Sequence, residues 1–297
     1  MFIGAADVVP GVSGGTIAFI LGIYERLINA IKGIGTKDWD PTFLLPLIVG
    51  AVTSIAIFAH AIESLLNHEL WRTFLYSAFL GLILGSTLFC SKQVKQWSNS
   101  RFCALAAGVA IAFLFTSHVS LTQTPPIAEN LWVVLCGAAA ISAMLLPGIS
   151  GSYLLNILGL YPKVIQNLNA FTSSLATGTF AWESFQFLAL LLLGIVLGAL
   201  LFSRVVSWCL KHYHDLSIAA LTGFMLGALR AVWPFWVYET APHPLKPDQG
   251  MVLVPMDMVM PDVTSWVFLL AVVCAVGGFL VVVAMEYVAG VYQTRRS

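Results

Sequence analysis

Residues 10–14 read Pro-Gly-Val-Ser-Gly and residues 147–151 read Pro-Gly-Ile-Ser-Gly, each within an apolar stretch. Proline ends a helix and glycine permits the turn after it, so each motif is how a discontinuous helix is written in sequence. Ser13 and Ser150 then stand where they can cap a second half-helix, whose first backbone N–H groups have no partner inside the helix. In hydrocarbon such donors must be satisfied, and an anion is their natural guest. The candidate ligands for a lipid phosphate or other anion are therefore Ser13, Gly14, Gly15 and Thr16 in the first segment, and Ser150, Gly151 and Ser152 in the second.

Ionisable residues inside apolar segments add to this set, because an arginine at the bilayer centre costs about 2.5–3.5 kcal/mol even on the mildest scale. Arg230 follows a glycine-containing apolar run and carries the planar fork that suits phosphate oxygens; snorkelling toward Trp233 and Trp236 is its alternative role. Arg204, near the end of its span, has the same two readings. Asp7 lies three residues before the first Pro-Gly turn and is read as a proton or cation coupling residue, or as the partner of an arginine, against an interfacial carboxylate. His60, Glu63 and His68 lack a second ligand set, so no metal site is expected, and no cofactor either.

The elements that must position these residues are membrane helices. The chain has 297 residues, 59% hydrophobic and 9% charged, a balance that excludes an ordinary soluble domain. Apolar stretches approaching or exceeding the roughly 20 residues that cross a bilayer predict spans at 43–66, 74–90, 102–117, 185–210, 216–236 and 263–285. The formal net charge is zero, so no long-range field recommends nucleic acid as a partner. Five dispersed cysteines argue against a disulfide framework. The first residues carry Asp7 and Pro10 without a basic region or cleavage pattern, and no removable signal peptide is expected.

The chain also contains an internal repeat. Residues 10–31 align without gaps on 147–168, with Pro10, Gly11, Ser13, Gly14, Ile20, Leu21, Gly22, Tyr24 and Ile28 meeting identical residues. Gly50 corresponds to Gly194, and Gly81 with Gly85 to Gly223 with Gly227. The expected fold is an all-α polytopic membrane protein, an inverted repeat of two halves. The first half, 1–130, has a broken re-entrant hairpin at 1–31 and three spans; the second, 131–297, has its hairpin at 131–168 and three more. An odd number of spans per half inserts the halves with opposite topology. The positive-inside rule then places both termini and Arg26, Lys32, Lys92, Lys95, Arg101 and Lys211 on the cytoplasmic side of a bacterial inner membrane, with a long outer loop at 237–261.

With these residues in view, GAADVVPGVSGGTIAFILGIYERLINAI and LLPGISGSYLLNILGLY resemble the paired signatures of the bacterial family long called domain of unknown function 368, the polyprenyl-phosphate translocases. The resemblance implies transport of undecaprenyl phosphate, the C55 carrier lipid, from the outer to the inner leaflet, for reuse in peptidoglycan and other cell-envelope polymers. Membrane lipid and that carrier are the implied partners. Two other functions fit parts of the pattern. A small-anion channel or exchanger would also use opposed helix N-termini. An undecaprenyl-diphosphate phosphatase would share Pro-Gly-x-Ser, but those enzymes follow the serine with arginine and add paired glutamates, where Gly14 and Gly151 stand here. Neither broken segment supplies the two carboxylates that acid–base or metal-assisted hydrolysis needs, so a transporter rather than an enzyme is expected. The sequence gives no oligomeric state.

Overall fold

Apolar runs become long helices even across Pro46 and several interior glycines, while the left-handed glycines Gly22 and Gly159 end short ones. The computed structural model of the protein describes residues 3–4, 14–117, 129–147, 150–242 and 251–294. Helices α1 (Gly14–Ile20), α2 (Tyr24–Lys32), α3 (Pro41–Asn67), α4 (Glu69–Gln93) and α5 (Asn99–Ser117) are followed by α6 (Glu129–Leu145), α7 (Gly151–Ile157) and α8 (Tyr161–Thr177). After these come α9 (Trp182–His212), α10 (His214–Gly227) with a tighter turn at Ala228–Val232, and α11 (Trp266–Thr294).

Among the described residues, Glu69–Gln93, Trp182–His212, His214–Val232 and Trp266–Ala284 are long and apolar enough to cross a membrane. Pro41–Ser54 of α3, Asn99–Leu114 of α5 and Glu129–Leu145 are shorter apolar stretches. The molecule is thus an all-α membrane protein in its main body. Its large apolar residues face outward along α9 and α11, where Leu192, Leu201, Val273 and Leu280 are each more than half exposed, as a surface solvated by lipid requires.

The sequence predicts a loop over 237–261. The structure instead pairs β1 (Trp236–Pro242) with β2 (Met251–Met258), antiparallel, with Trp236 opposite Met258 and an irregularity between Val237 and Tyr238. Trp233 ties the base of this hairpin by donating its indole N–H to the Val259 carbonyl at 3.3 Å.

Glycine sets the closest helix contacts. A Cβ on Gly81 would lie 1.8 Å from the Ala275 carbonyl oxygen, and one on Gly278 would lie 2.2 Å from that of Ala78, so α4 and α11 meet backbone to backbone. Gly223 meets the Leu105 carbonyl in the same way, and Gly227 that of Val109, joining α10 to α5. Gly194 meets Val134 and Gly198 meets Ala138, joining α9 to α6. Small residues at such crossings are the usual device where lipid supplies no hydrophobic drive between helices. From Gly81–Ala275 to Lys92–Glu286, from Leu105–Gly223 to Val109–Gly227 and from Val134–Gly194 to Ala138–Gly198 the contacts advance together along both helices, so each pair runs parallel.

Ion pairs mark one end of the bundle. Lys92 reaches Glu286 at 3.2 Å, Arg101 reaches Asp215 at 3.2 Å, and His214 contacts Glu25 at 3.3 Å. The opposite end carries Lys163 paired with Glu129, and the β hairpin that follows α10.

Candidate functional site

The two broken segments fold alike at the level of the backbone. Counterpart helices α1 and α7 are each seven residues long. Each is followed by a left-handed glycine, Gly22 at φ 65° and Gly159 at φ 69°. Ile23 N–H donates to the Ala18 carbonyl at 3.0 Å, and its counterpart Leu160 N–H donates to Leu155 at 2.9 Å. That six-to-one bond around a left-handed glycine is a Schellman end, which satisfies carbonyls left over at the helix terminus. α2 and α8 then start at the counterpart tyrosines Tyr24 and Tyr161.

At the start of α7, the Ser150 carbonyl accepts the Leu154 N–H at 3.1 Å, which puts Ser150 at the capping position. Its hydroxyl lies 2.9 Å from that of Ser152. Ser150 is buried and Ser152 exposed, so this hydroxyl pair runs from the packed interior to an open face. Gly151 is required by a close approach, since a Cβ there would stand 2.5 Å from the Ala140 carbonyl oxygen. Gly14, Gly15 and Thr16 at the start of α1 are all buried. Ser13 and Asp7 lie outside the described residues.

The C-terminal end of α6 joins the two segments. Leu146 packs against the main core, which includes Ile17, Ala18 and Phe19 of α1, and also against the cluster formed by Ala143 and Leu154 of α7. The Tyr24 hydroxyl donates to the Leu145 carbonyl, 121 positions away, at 3.0 Å, while its ring lies 4.6 Å from that of Phe19. Removing this buried donor leaves a carbonyl without its partner. Tyr24→Phe is therefore expected to destabilise the protein by about 1–3 kcal/mol, read as a lower thermal midpoint in detergent.

The two candidate arginines are not brought together. Arg230 lies in the turn after α10, with its guanidinium 5.3 Å from the Phe113 ring centre and 5.9 Å from that of Trp236. Both are distances at which cation–π attraction operates. Arg204 is exposed on α9 and donates to the Leu200 carbonyl at 3.3 Å. It lines a cavity of about 420 Å³ with Arg26, Asn29, Lys32, Thr36, Asp38 and Asp40 among others. α10 begins at the ion-paired end and rises about 1.5 Å per residue, which sets Arg230 roughly 20 Å from the Arg101–Asp215 pair.

Lys32, Asn29 and Ser207 are polar residues that the sequence reading did not assign to a site. Ser207 donates to Asn29 Oδ1 at 2.8 Å and accepts from Lys32 Nζ at 3.2 Å. Arg26, Asn29 and Lys32 recur at threes on α2, a helical face. Asp40 caps α3 by accepting from Phe43 N–H at 3.1 Å. Hydrogen bonds from Thr42 and Arg26 hold its carboxyl below the usual carboxylate range. Its pairing with Arg26 is thus complete above the ordinary value and is lost only as pH falls through the depressed one.

Residues 3–246 match the family described as undecaprenyl phosphate translocase-like. A polyprenyl-phosphate transporter of Vibrio cholerae serotype O1 is 39% identical over 248 residues, covering 78% of this chain and 75% of the relative. A polyprenyl-phosphate transporter of Staphylococcus aureus is 33% identical over 245 residues, covering 78% and 83%. No solved structure matches. The chain belongs to the undecaprenyl phosphate translocase-like family.

Proposed function

We propose that this protein carries polyprenyl phosphate across the bacterial cytoplasmic membrane, returning the C55 carrier from the outer to the inner leaflet for envelope polymer synthesis. The observation that carries this reading is the repeated helix, left-handed glycine and helix at 14–24 and 151–161, in a chain whose relatives are named polyprenyl-phosphate transporters. Both short helices approach the end of α6, and the phosphate head is held between them by Ser13, Gly14, Gly15, Thr16, Ser150, Gly151 and Ser152. Arg230 and Arg204, at separate levels, act on the head at different stages. Asp7 couples transport to a proton or cation, or pairs with an arginine. The isoprenoid chain stays in lipid throughout.

An inverted repeat of re-entrant hairpins is the architecture that suits this task. Packing supports it: α4 runs parallel to α11 and α5 parallel to α10, while the short connection 94–98 turns the chain back between α4 and α5. α10 then runs opposite to α4, its counterpart by sequence. The cluster of Arg26, Lys32, Lys92, Arg101 and Lys211 at one end supports a cytoplasmic assignment for that end and for both termini.

Leaflet exchange in proteoliposomes tests the function. A short fluorescent polyprenyl phosphate in the inner leaflet is expected to become accessible to an impermeant quencher far faster with protein than without. The corresponding neutral prenol is expected to show no such acceleration. Protein-dependent flux of chloride or inorganic phosphate without lipid exchange would mark a small-anion pathway instead, and release of inorganic phosphate from a diphosphate lipid would mark an enzyme.

A further inference from the structure

The cavity between α2 and α9 sets beside Arg204 two further cations, Arg26 and Lys32, to which the transport path above gives no role. Its walls bring Arg26 and Lys32 from the first half of the chain to Arg204 from the second. The wall is built, because Gly33 is pressed against the Asp38 backbone and the Thr36 hydroxyl donates to the Gly33 carbonyl at 2.8 Å. Arg26 is held by Asp40 at 2.9 Å. Among the described residues, neither Lys32 nor Arg204 has a carboxylate within ion-pair distance; Lys32 is held by the Ser207 hydroxyl and Arg204 by a backbone carbonyl. At about 420 Å³ the cavity falls within the range of roughly 300–1,000 Å³ typical of small-molecule sites.

The surroundings of Arg204 decide which anion fits. Leu197, Leu201, Val205 and Trp208 recur at helical spacing on α9 and are 42%, 62%, 57% and 53% exposed. Arg204 lies in this outward apolar stripe, one turn, or about 6 Å, short of Trp208, a residue type that favours the membrane–water interface. A cation embedded in a lipid-facing stripe is reached sideways by an amphiphile. The connection 33–40 also carries Asp38 and Asp40 into the cavity, Asp40 being paired with Arg26. The geometry therefore favours an anion that arrives with an apolar chain attached.

We propose that Lys32 and Arg204, together with Arg26, form a second site for the phosphate monoester of a polyprenyl phosphate, whose chain lies along the exposed stripe of α9. It is separate from the paired Ser-Gly turns and serves as the point where the head enters or leaves at the ion-paired end of the bundle. The inference rests on the transport reading above. Bridging α2 of one half to α9 of the other, the site also senses their separation, since Ser207 holds both Asn29 and Lys32.

Photolabelling of the full-length protein in nanodiscs tests this, using a short prenyl phosphate with a diazirine in its first isoprene unit. Label is expected on residues 196–208 in the parent, and at least tenfold less there in K32A/R204A. The charge-preserving K32R/R204K is expected to keep it within about threefold. Label on 146–157 persisting in K32A/R204A reports that the protein is folded and that the other site is intact. The uncharged diazirine prenol is expected to leave 196–208 unlabelled, and inorganic phosphate at 10 times the probe concentration is expected not to compete. Undiminished labelling of 196–208 in K32A/R204A overturns this site alone, and competition by inorganic phosphate overturns its assignment to a lipid. Absence of label anywhere in the parent overturns the transport reading together with it.

Discussion

Replacing Ser150 and Ser152 together by alanine is expected to slow leaflet exchange of polyprenyl phosphate about a hundredfold while the bundle stays folded. The two hydroxyls lie 2.9 Å apart, one buried and one exposed, at the first turn of α7. With no phosphate present one hydroxyl donates to the other, and losing that bond with the Ser150 cap costs the resting protein only about 1–2 kcal/mol. A hydrogen bond to a charged group is worth about 1.5–3 kcal/mol, and two at the lower value amount to roughly a hundredfold. Ser152→Thr keeps the hydroxyl and is expected to retain most of the rate. Exchange measured in the same proteoliposome assay checks both variants; parental rates in the double alanine variant would remove these residues from the phosphate site.

The largest effect on stability is expected from Gly81→Ala. The added methyl would stand 1.8 Å from a backbone oxygen of α11, and a backbone atom has no rotamer with which to move aside. Overpacking of this kind costs about 1–3 kcal/mol in soluble cores and occasionally more. The upper end, about 3 kcal/mol, is expected here because the neighbouring Gly278 contact would be forced apart with it. Gly277→Ala is the matched control on the partner helix, since its Cβ would meet nothing within 4 Å. It is expected to fall within about 0.5 kcal/mol of the parent. Thermal midpoints by size-exclusion chromatography in detergent separate the two, and equal midpoints would refute the tight α4–α11 crossing.

Helical membrane character was legible because apolar content this high has one solvent, and the glycines at the closest helix crossings, Gly81, Gly194, Gly198, Gly223, Gly227 and Gly278, sit on runs visible as spans. The self-alignment set Gly22 against Gly159, and the backbone places both in the left-handed region; local chemistry alone demands a glycine there. The strand pair was not legible. Prolines and acidic residues in 237–261 read as a loop, whereas pairing such as Val237 with Asp257 depends on a partner twenty residues away. The cavity was hidden for the same reason on a larger scale. Lys32 and Ser207 are 175 positions apart, and Arg26 and Lys32 on their own mark only the charged end of a helix. Arg204 and Arg230 each stood out as charges within spans, but their separation along the bundle depends on helix direction and packing.

If the starts of α1 and α7 jointly cradle a phosphate, a cryo-electron microscopy map of the protein bound to polyprenyl phosphate will show the head between them. A phosphate peak is expected in contact with both residues 13–16 and residues 150–152. A phosphate seated elsewhere in the bundle, with both turns filled by protein side chains, would contradict it.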